Sequence, residues 1–105
     1  MNKFKFNKNT DNLFEAVLSL KNIKEAEKFF RDLCTVDELR EMSDRWAIVR
    51  MLNKKMTYRE IAEKMKVSTT TVSRVASWIN EGEGGYGLIL RRIANHHDSS
   101  ISKKS

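Results

Sequence analysis

The sequence predicts an all-α protein, and three observations carry the prediction. No proline occurs in 105 residues, and the four glycines all fall within residues 82–87. Charged residues make up 32% of the chain. Apolar residues recur at three- and four-residue spacing behind residues that cap helix N-termini. A chain so poor in turn formers favours helices over a turn-rich β fold.

Residues 1–8 read as a basic, flexible arm in which Phe4 and Phe6 are the apolar exceptions. Thr10 is placed to cap a first helix carrying Leu13, Phe14, Val17 and Leu18 at helical spacing. Asn22 can cap a second, with Ile23, Ala26, Phe29, Phe30 and Leu33 on one side. In "TVDE", Thr35 and Glu38 fit a capping box, in which each side chain satisfies a backbone donor of the other. A long helix from Val36 to about Lys54 is expected next. "TYRE" repeats the device with Thr57 and Glu60, so a short helix starts at Tyr58 and "NKKM" is a tight connection. Ser68 can cap a fifth helix running to about Asn80. "EGEGGYG" ends it. Gly87 leads into a final amphipathic helix, "LILRRIANHH", and residues 96–105 form a polar, disordered tail. The helical domain thus spans residues 9–95, and several of its helices are too short to be stable alone.

The net charge is +6 and the pI about 9.6, a balance that suits a polyanionic partner. The charge is unevenly spread. From Asp11 to Asp44 there are nine acids and five bases, and from Arg50 to Asn80 seven bases and two acids. Cys34 is the only cysteine, so no intrachain disulfide can form. A reduced cytoplasm suits that count, and Cys34 reads as a small buried residue. The opening "MNKFKFNKNTDN" lacks the apolar core of a signal peptide, and no apolar run approaches the ~20 residues that span a bilayer. A soluble, cytoplasmic protein with no membrane partner is expected.

Residues 58–79, "YREIAEKMKVSTTTVSRVASWI", carry the most specific pattern. Counting Tyr58 as first, Ile61, Ala62, Met65, Val67, Val72 and Val75 take the fourth, fifth, eighth, tenth, fifteenth and eighteenth places of a helix-turn-helix. All six match in type. The first helix needs Ile61 and Met65 on its inner face and a small Ala62 where the two helices approach. Val67 plugs the turn. The ninth place favours glycine with positive φ. Here it holds Lys66, which costs about 1–2 kcal/mol in that conformation.

On the second helix, Val72, Val75, Ala76 and Ile79 define a buried side, and Thr70, Ser73, Arg74 and Ser77 point away from it. Ser68, Thr69 and Thr70 sit at the N-terminus, where free backbone donors attract phosphate. A reading helix presents its N-terminal residues to base edges in the major groove. Short hydroxyls can donate or accept there, and threonine methyls can meet thymine methyls. Arg74 reaches guanine or phosphate. Lys54, Lys55, Arg59, Lys64 and Lys66 would clamp the backbone, which positions without specifying.

The stretch "LCTVDELREMSDRWAIVRMLNKKMTYREIAEKMKVSTTTVSRVASWIN", followed by the "GEGGYG" link, resembles the Trp repressor superfamily, and within it the YerC/YecD branch. The resemblance covers about residues 9–93. It implies a six-helix, intertwined homodimer that binds pseudo-palindromic double-stranded DNA through the major groove and regulates transcription, as a repressor. Two reading helices would then lie about 34 Å apart. It also implies an effector pocket. Arg45 and Arg74 match the two arginines that sandwich the tryptophan indole in the Trp repressor, and Thr35 and Thr71 match pocket threonines. Val75 and Trp78 stand where that repressor has glycine and serine. A pocket narrowed or partly filled by them is expected to refuse free L-tryptophan, although Trp78 can equally be a core or dimer-interface aromatic.

Two other readings stay open on the residues alone. The helix-turn-helix could be a protein-interaction module of the transcription machinery without operator specificity, or a sequence-blind duplex binder. Nothing suggests an enzyme: there is no Gly-rich phosphate loop, no paired cysteine ligands and no nucleophile–base arrangement. No cofactor is expected. His96 and His97 are adjacent, so on a helix they point about 100° apart and make a poor metal site.

Overall fold

The computed structural model describes residues 4–104, with side chains to Ala94. Six helices follow in order: α1 (Lys8–Leu18), α2 (Ile23–Leu33), α3 (Val36–Asn53), α4 (Tyr58–Met65), α5 (Thr69–Glu81) and α6 (Gly85–Lys104). No strand occurs among the described residues. The chain divides into two compact units, Met1–Leu39 and Arg40–Ser105.

The first unit holds α1, α2 and the first turn of α3. Asn7, and not Thr10, is the N-cap of α1. Its side chain accepts from the Thr10 amide at 3.1 Å while the Thr10 hydroxyl accepts from the Asn7 amide at 2.8 Å. Thr10 is thus the third residue of the helix and the far half of a capping box. The arm packs its aromatics together: Phe4 meets Phe6 edge-on at 5.2 Å, and Phe6 lies 6.1 Å from Phe14. Asn22 caps α2 as expected, accepting from the Glu25 amide at 2.9 Å. Neither helix has a buried residue; Leu18 is 84% exposed and Ile23 77%. Cys34 is free and half-buried rather than buried.

The second unit contains the core. Ile48 and Val49 of α3, Ile61 and Ala62 of α4, and Val72 and Val75 of α5 form one buried cluster. Met65, Val67, Trp78, Ile79, Tyr86 and Leu90 pack around it. Fully burying an Ile or Val side chain contributes about 1.5–3 kcal/mol, and that packing holds an eight-residue α4 in place. The six apolar positions of the helix-turn-helix pattern all lie in or against this cluster.

Both ends of the α3–α4 pair close the same way. Lys55 (φ 68°) and Lys66 (φ 58°) adopt left-handed conformations. The Met56 amide bonds back to the Met51 carbonyl at 3.2 Å, and the Val67 amide to the Ala62 carbonyl at 3.0 Å. These are the six-to-one bonds of a Schellman turn, which usually places glycine at the left-handed position. Lysine occupies that position twice here.

The glycine segment ends α5 by close approach: a Cβ at Gly82 would lie 2.5 Å from the Trp78 carbonyl oxygen. Gly84 has φ +87° and precedes α6, which starts at Gly85, three residues before the expected start at Leu88. The helix bounds also run to Lys104, across the residues expected as a disordered tail; no glycine or proline after Gly87 interrupts them. The His96 and His97 side chains lie outside the described residues. No described helix is long and apolar enough to cross a membrane.

Candidate nucleic-acid interface

Local chemistry sets where α4 and α5 begin and end. Thr57 and Glu60 form the expected capping box: the Glu60 carboxylate accepts from the Thr57 amide at 2.9 Å, and the Thr57 hydroxyl accepts from the Glu60 amide at 3.1 Å. These bonds hold the Glu60 carboxyl below the usual carboxylate range. Thr35 and Glu38 do the same at the start of α3, with Glu38 shifted the same way by the same bonds. At α5, Ser68 Oγ accepts from the Thr71 amide at 3.1 Å and lies 3.0 Å from Thr71 Oγ1. Ser68 is therefore committed to the cap.

With α4 and the turn at Lys66 fixed, the azimuth of each α5 side chain follows from its position. Taking Val72 as zero, Ser73 lies roughly 100° round, Ser77 140°, Thr70 160°, Arg74 200°, Trp78 240° and Thr71 260°. Thr70, Ser73, Arg74 and Ser77 are all exposed, as expected for a free face, and Thr69, roughly 60° from Val72, is exposed at the first position of the helix. Their hydroxyls differ in availability. Ser77 donates its hydroxyl proton to the Arg74 carbonyl at 2.8 Å, so it offers only an acceptor. No partner competes for the hydroxyls of Thr69, Thr70 and Ser73 among the described residues.

The expected cations fall into two groups. Arg59, Lys64 and Lys66 belong to α4 and its turn and are exposed. Arg59 Nε lies 3.9 Å from Glu63 Oε1, an exposed pair too weak to hold it from a stronger anion. Lys54 and Lys55 stand at the end of α3 instead. Lys54 lines a cleft of about 350 Å³ between α3 and α6 with Trp46, Arg50, Asn53, Leu90, Ile93 and Ala94.

A second cleft, of about 320 Å³, opens between α3 and α5. It brings together five of the six expected pocket residues: Arg45, Thr71, Arg74, Val75 and Trp78. Val75 and Ile48, each 2% exposed, form the floor. Thr35 is not among the lining residues. It belongs to the other unit, and its hydroxyl caps α3. Val67, expected only as the plug of the turn, also lines the cleft, and three lining residues were not expected from the sequence: Glu41, Asp44 and Ile48. Their signal was available: Glu41, Asp44, Arg45 and Ile48 repeat at i, i+3, i+4 and i+7, the same stripe as Thr71, Arg74, Val75 and Trp78 on α5. No group of three or more His, Cys, Asp or Glu placed to hold a metal occurs among the described residues.

Comparison with known proteins bears on the whole arrangement. Residues 8–94 match the family model for Trp repressor protein. The chain is 38% identical over 96 residues to YerC of Bacillus subtilis (strain 168), itself described as uncharacterized; the match covers 91% of this chain and 92% of that one. Its structure resembles that of a TrpR-like protein from Eubacterium eligens, with a TM-score of 0.79 at 41% identity over 84% of this chain and 91% of that one. A Staphylococcus aureus structure agrees equally well, at 0.79 and 37% identity over 85% and 89%.

Proposed function

The chain belongs to the Trp repressor family, and from that premise we propose that it is a sequence-specific, double-stranded-DNA-binding transcriptional regulator. It acts as a homodimer on a pseudo-palindromic operator and represses by obstructing transcription. The observation that carries this reading is the free face of α5. Unpartnered hydroxyls of Thr69, Thr70 and Ser73 stand at the N-terminus of a helix whose opposite side is sealed against α4. Thr70 and Ser73 read bases and Arg74 takes a guanine edge or a phosphate, while Arg59, Lys64, Lys66 and the Thr69 end of the helix hold phosphate. Lys54 and Lys55 add phosphate contacts from the end of α3.

Dimerisation is supported by α1 and α2. Two helices with no buried residue and large exposed apolar side chains gain little from folding alone and much from a second copy. The α3–α5 cleft would take a small effector other than free L-tryptophan, because Trp78 already supplies an indole along its wall.

Footprinting on genomic fragments, followed by anisotropy titrations with the protected duplex, tests the reading. Affinity is expected to fall steeply with salt, with a logarithmic slope of roughly −0.9 per phosphate neutralised. Thr70→Ala and Ser73→Ala should lower discrimination between operator and random duplex by about 1–3 kcal/mol for each base contact removed. A flat salt dependence would favour the protein-interaction module. Unchanged discrimination would favour sequence-blind binding.

A further inference from the structure

We propose that Glu41 and Asp44 of α3 compete with DNA for Arg74 of α5, so that this acidic pair sets how tightly the reading helix holds its operator. The inference rests on the DNA-binding reading and concerns how that site is regulated. Arg74 stands at the border of two faces of α5. It is roughly 40–60° from Thr70 and Ser77 on the free face and the same from Trp78 and Thr71 on the cleft face. The cleft is lined by two carboxylates and two guanidiniums, Arg45 being the other. None of the four makes an ion pair among the described residues. The floor beneath them is buried, so the helices are fixed and only the long Arg74 side chain needs to rotate.

The chemistry makes the two positions of Arg74 exclusive. A guanidinium offers the same planar fork to a carboxylate and to a phosphate, and it serves one at a time. With Arg74 turned to the cleft, its four charges balance. With Arg74 on DNA, the cleft keeps one uncompensated negative charge beside the reading helix, which opposes phosphate. Glu41 and Asp44 are three residues apart on α3 and share one face, so both act on the same point.

The test is a cycle of four proteins: wild type, E41Q/D44N, R74M and the triple variant. Each is titrated at low salt against a fluorescent mixed-sequence duplex long enough for two half-sites about 34 Å apart. E41Q/D44N should bind about two- to fivefold tighter than wild type, the scale of one exposed ion pair. The tightening should vanish in the R74M background. If it survives R74M, or never appears, the competition is overturned and any effect is general charge. Melting temperatures of the same four proteins without DNA give a second readout. Non-additive shifts at about 0.02 M salt that become additive at about 0.5 M support a contact between Arg74 and the acids; additive shifts at both overturn it. If no protein of the four binds any duplex, the DNA-binding reading fails, and the competition with it.

Discussion

Lys66 offers the sharpest separation of folding from function. Its backbone is left-handed, at φ 58° and ψ 44°, and the Val67–Ala62 bond that ends α4 depends on that conformation. A residue with a Cβ costs about 1–2 kcal/mol there. Lys66→Gly removes that cost but frees the unfolded chain, which returns about 0.4–1 kcal/mol. The net expectation is a gain of about 0.5–1 kcal/mol. Lys66→Ala keeps the Cβ, and the lysine side chain is exposed, so that variant should stay near wild type. Both variants lose the same cation. On DNA, both should reduce the salt slope by roughly 0.9 per chain, or about 1.8 for a dimer on two half-sites. Urea unfolding followed by circular dichroism, at one fixed protein concentration, ranks the stabilities. Lys66→Gly at or below Lys66→Ala in stability would refute the strain argument. A salt slope equal to wild type in both would refute the phosphate contact.

Acid should loosen the caps of α3 and α4. The Glu60 and Glu38 carboxyls lie below their ordinary value when folded, so their contribution is complete above the unfolded pKa and is lost as pH falls through the folded one. Glu60→Gln, which keeps the acceptor but not the titration, should flatten the acid limb of a stability-versus-pH curve below about pH 4.5; an unchanged limb would reject the assignment. L-Tryptophan should give no binding heat at micromolar concentration in calorimetry, and a micromolar dissociation constant would reject the view that Val75 and Trp78 have closed the cleft to it.

Most of the helix-turn-helix was legible because its constraints are local. Caps need two residues three apart, and Thr35–Glu38, Thr57–Glu60 and Ser68 all stand where spacing puts them. The glycine-type turn at Lys66 followed from its place between Met65 and Val67, whatever residue filled it. The misses have equally physical causes. Asn7 and Thr10 are both good caps, and a reciprocal box uses both, so the first apolar residue at Leu13 drew the start three residues late. Lys55 carries no mark of its left-handed conformation, because lysine does not signal positive φ. Glu41 and Asp44 lie on a stripe that the spacing does show, but the stripe becomes a cleft wall only when α3 faces α5. Sequence gives one stripe at a time, and a cleft is made by two.

One asymmetry along the chain bears on why α5 begins with threonines. The first turns of α1, α2, α3 and α4 each contain an acid: Asp11, Glu25, Asp37 with Glu38, and Glu60. The first turns of α5 and α6 contain none, and α6 opens on Gly85 where α5 opens on Thr69. An acid near a helix N-terminus is worth about 0.3–1 kcal/mol, so α5 forgoes a stabilisation that four earlier helices take. Threonine adds a further small cost through its stiff branched Cβ. Both costs make sense if the positive end of α5 is kept open for an outside anion. Thr69→Asp separates the two demands. It should stabilise the free protein by about 0.3–1 kcal/mol while weakening duplex binding by at least ~10-fold at low salt, since one carboxylate would meet phosphate at the point of entry. A variant that gains stability and binds as wild type does would show that the end of α5 is not where DNA lies.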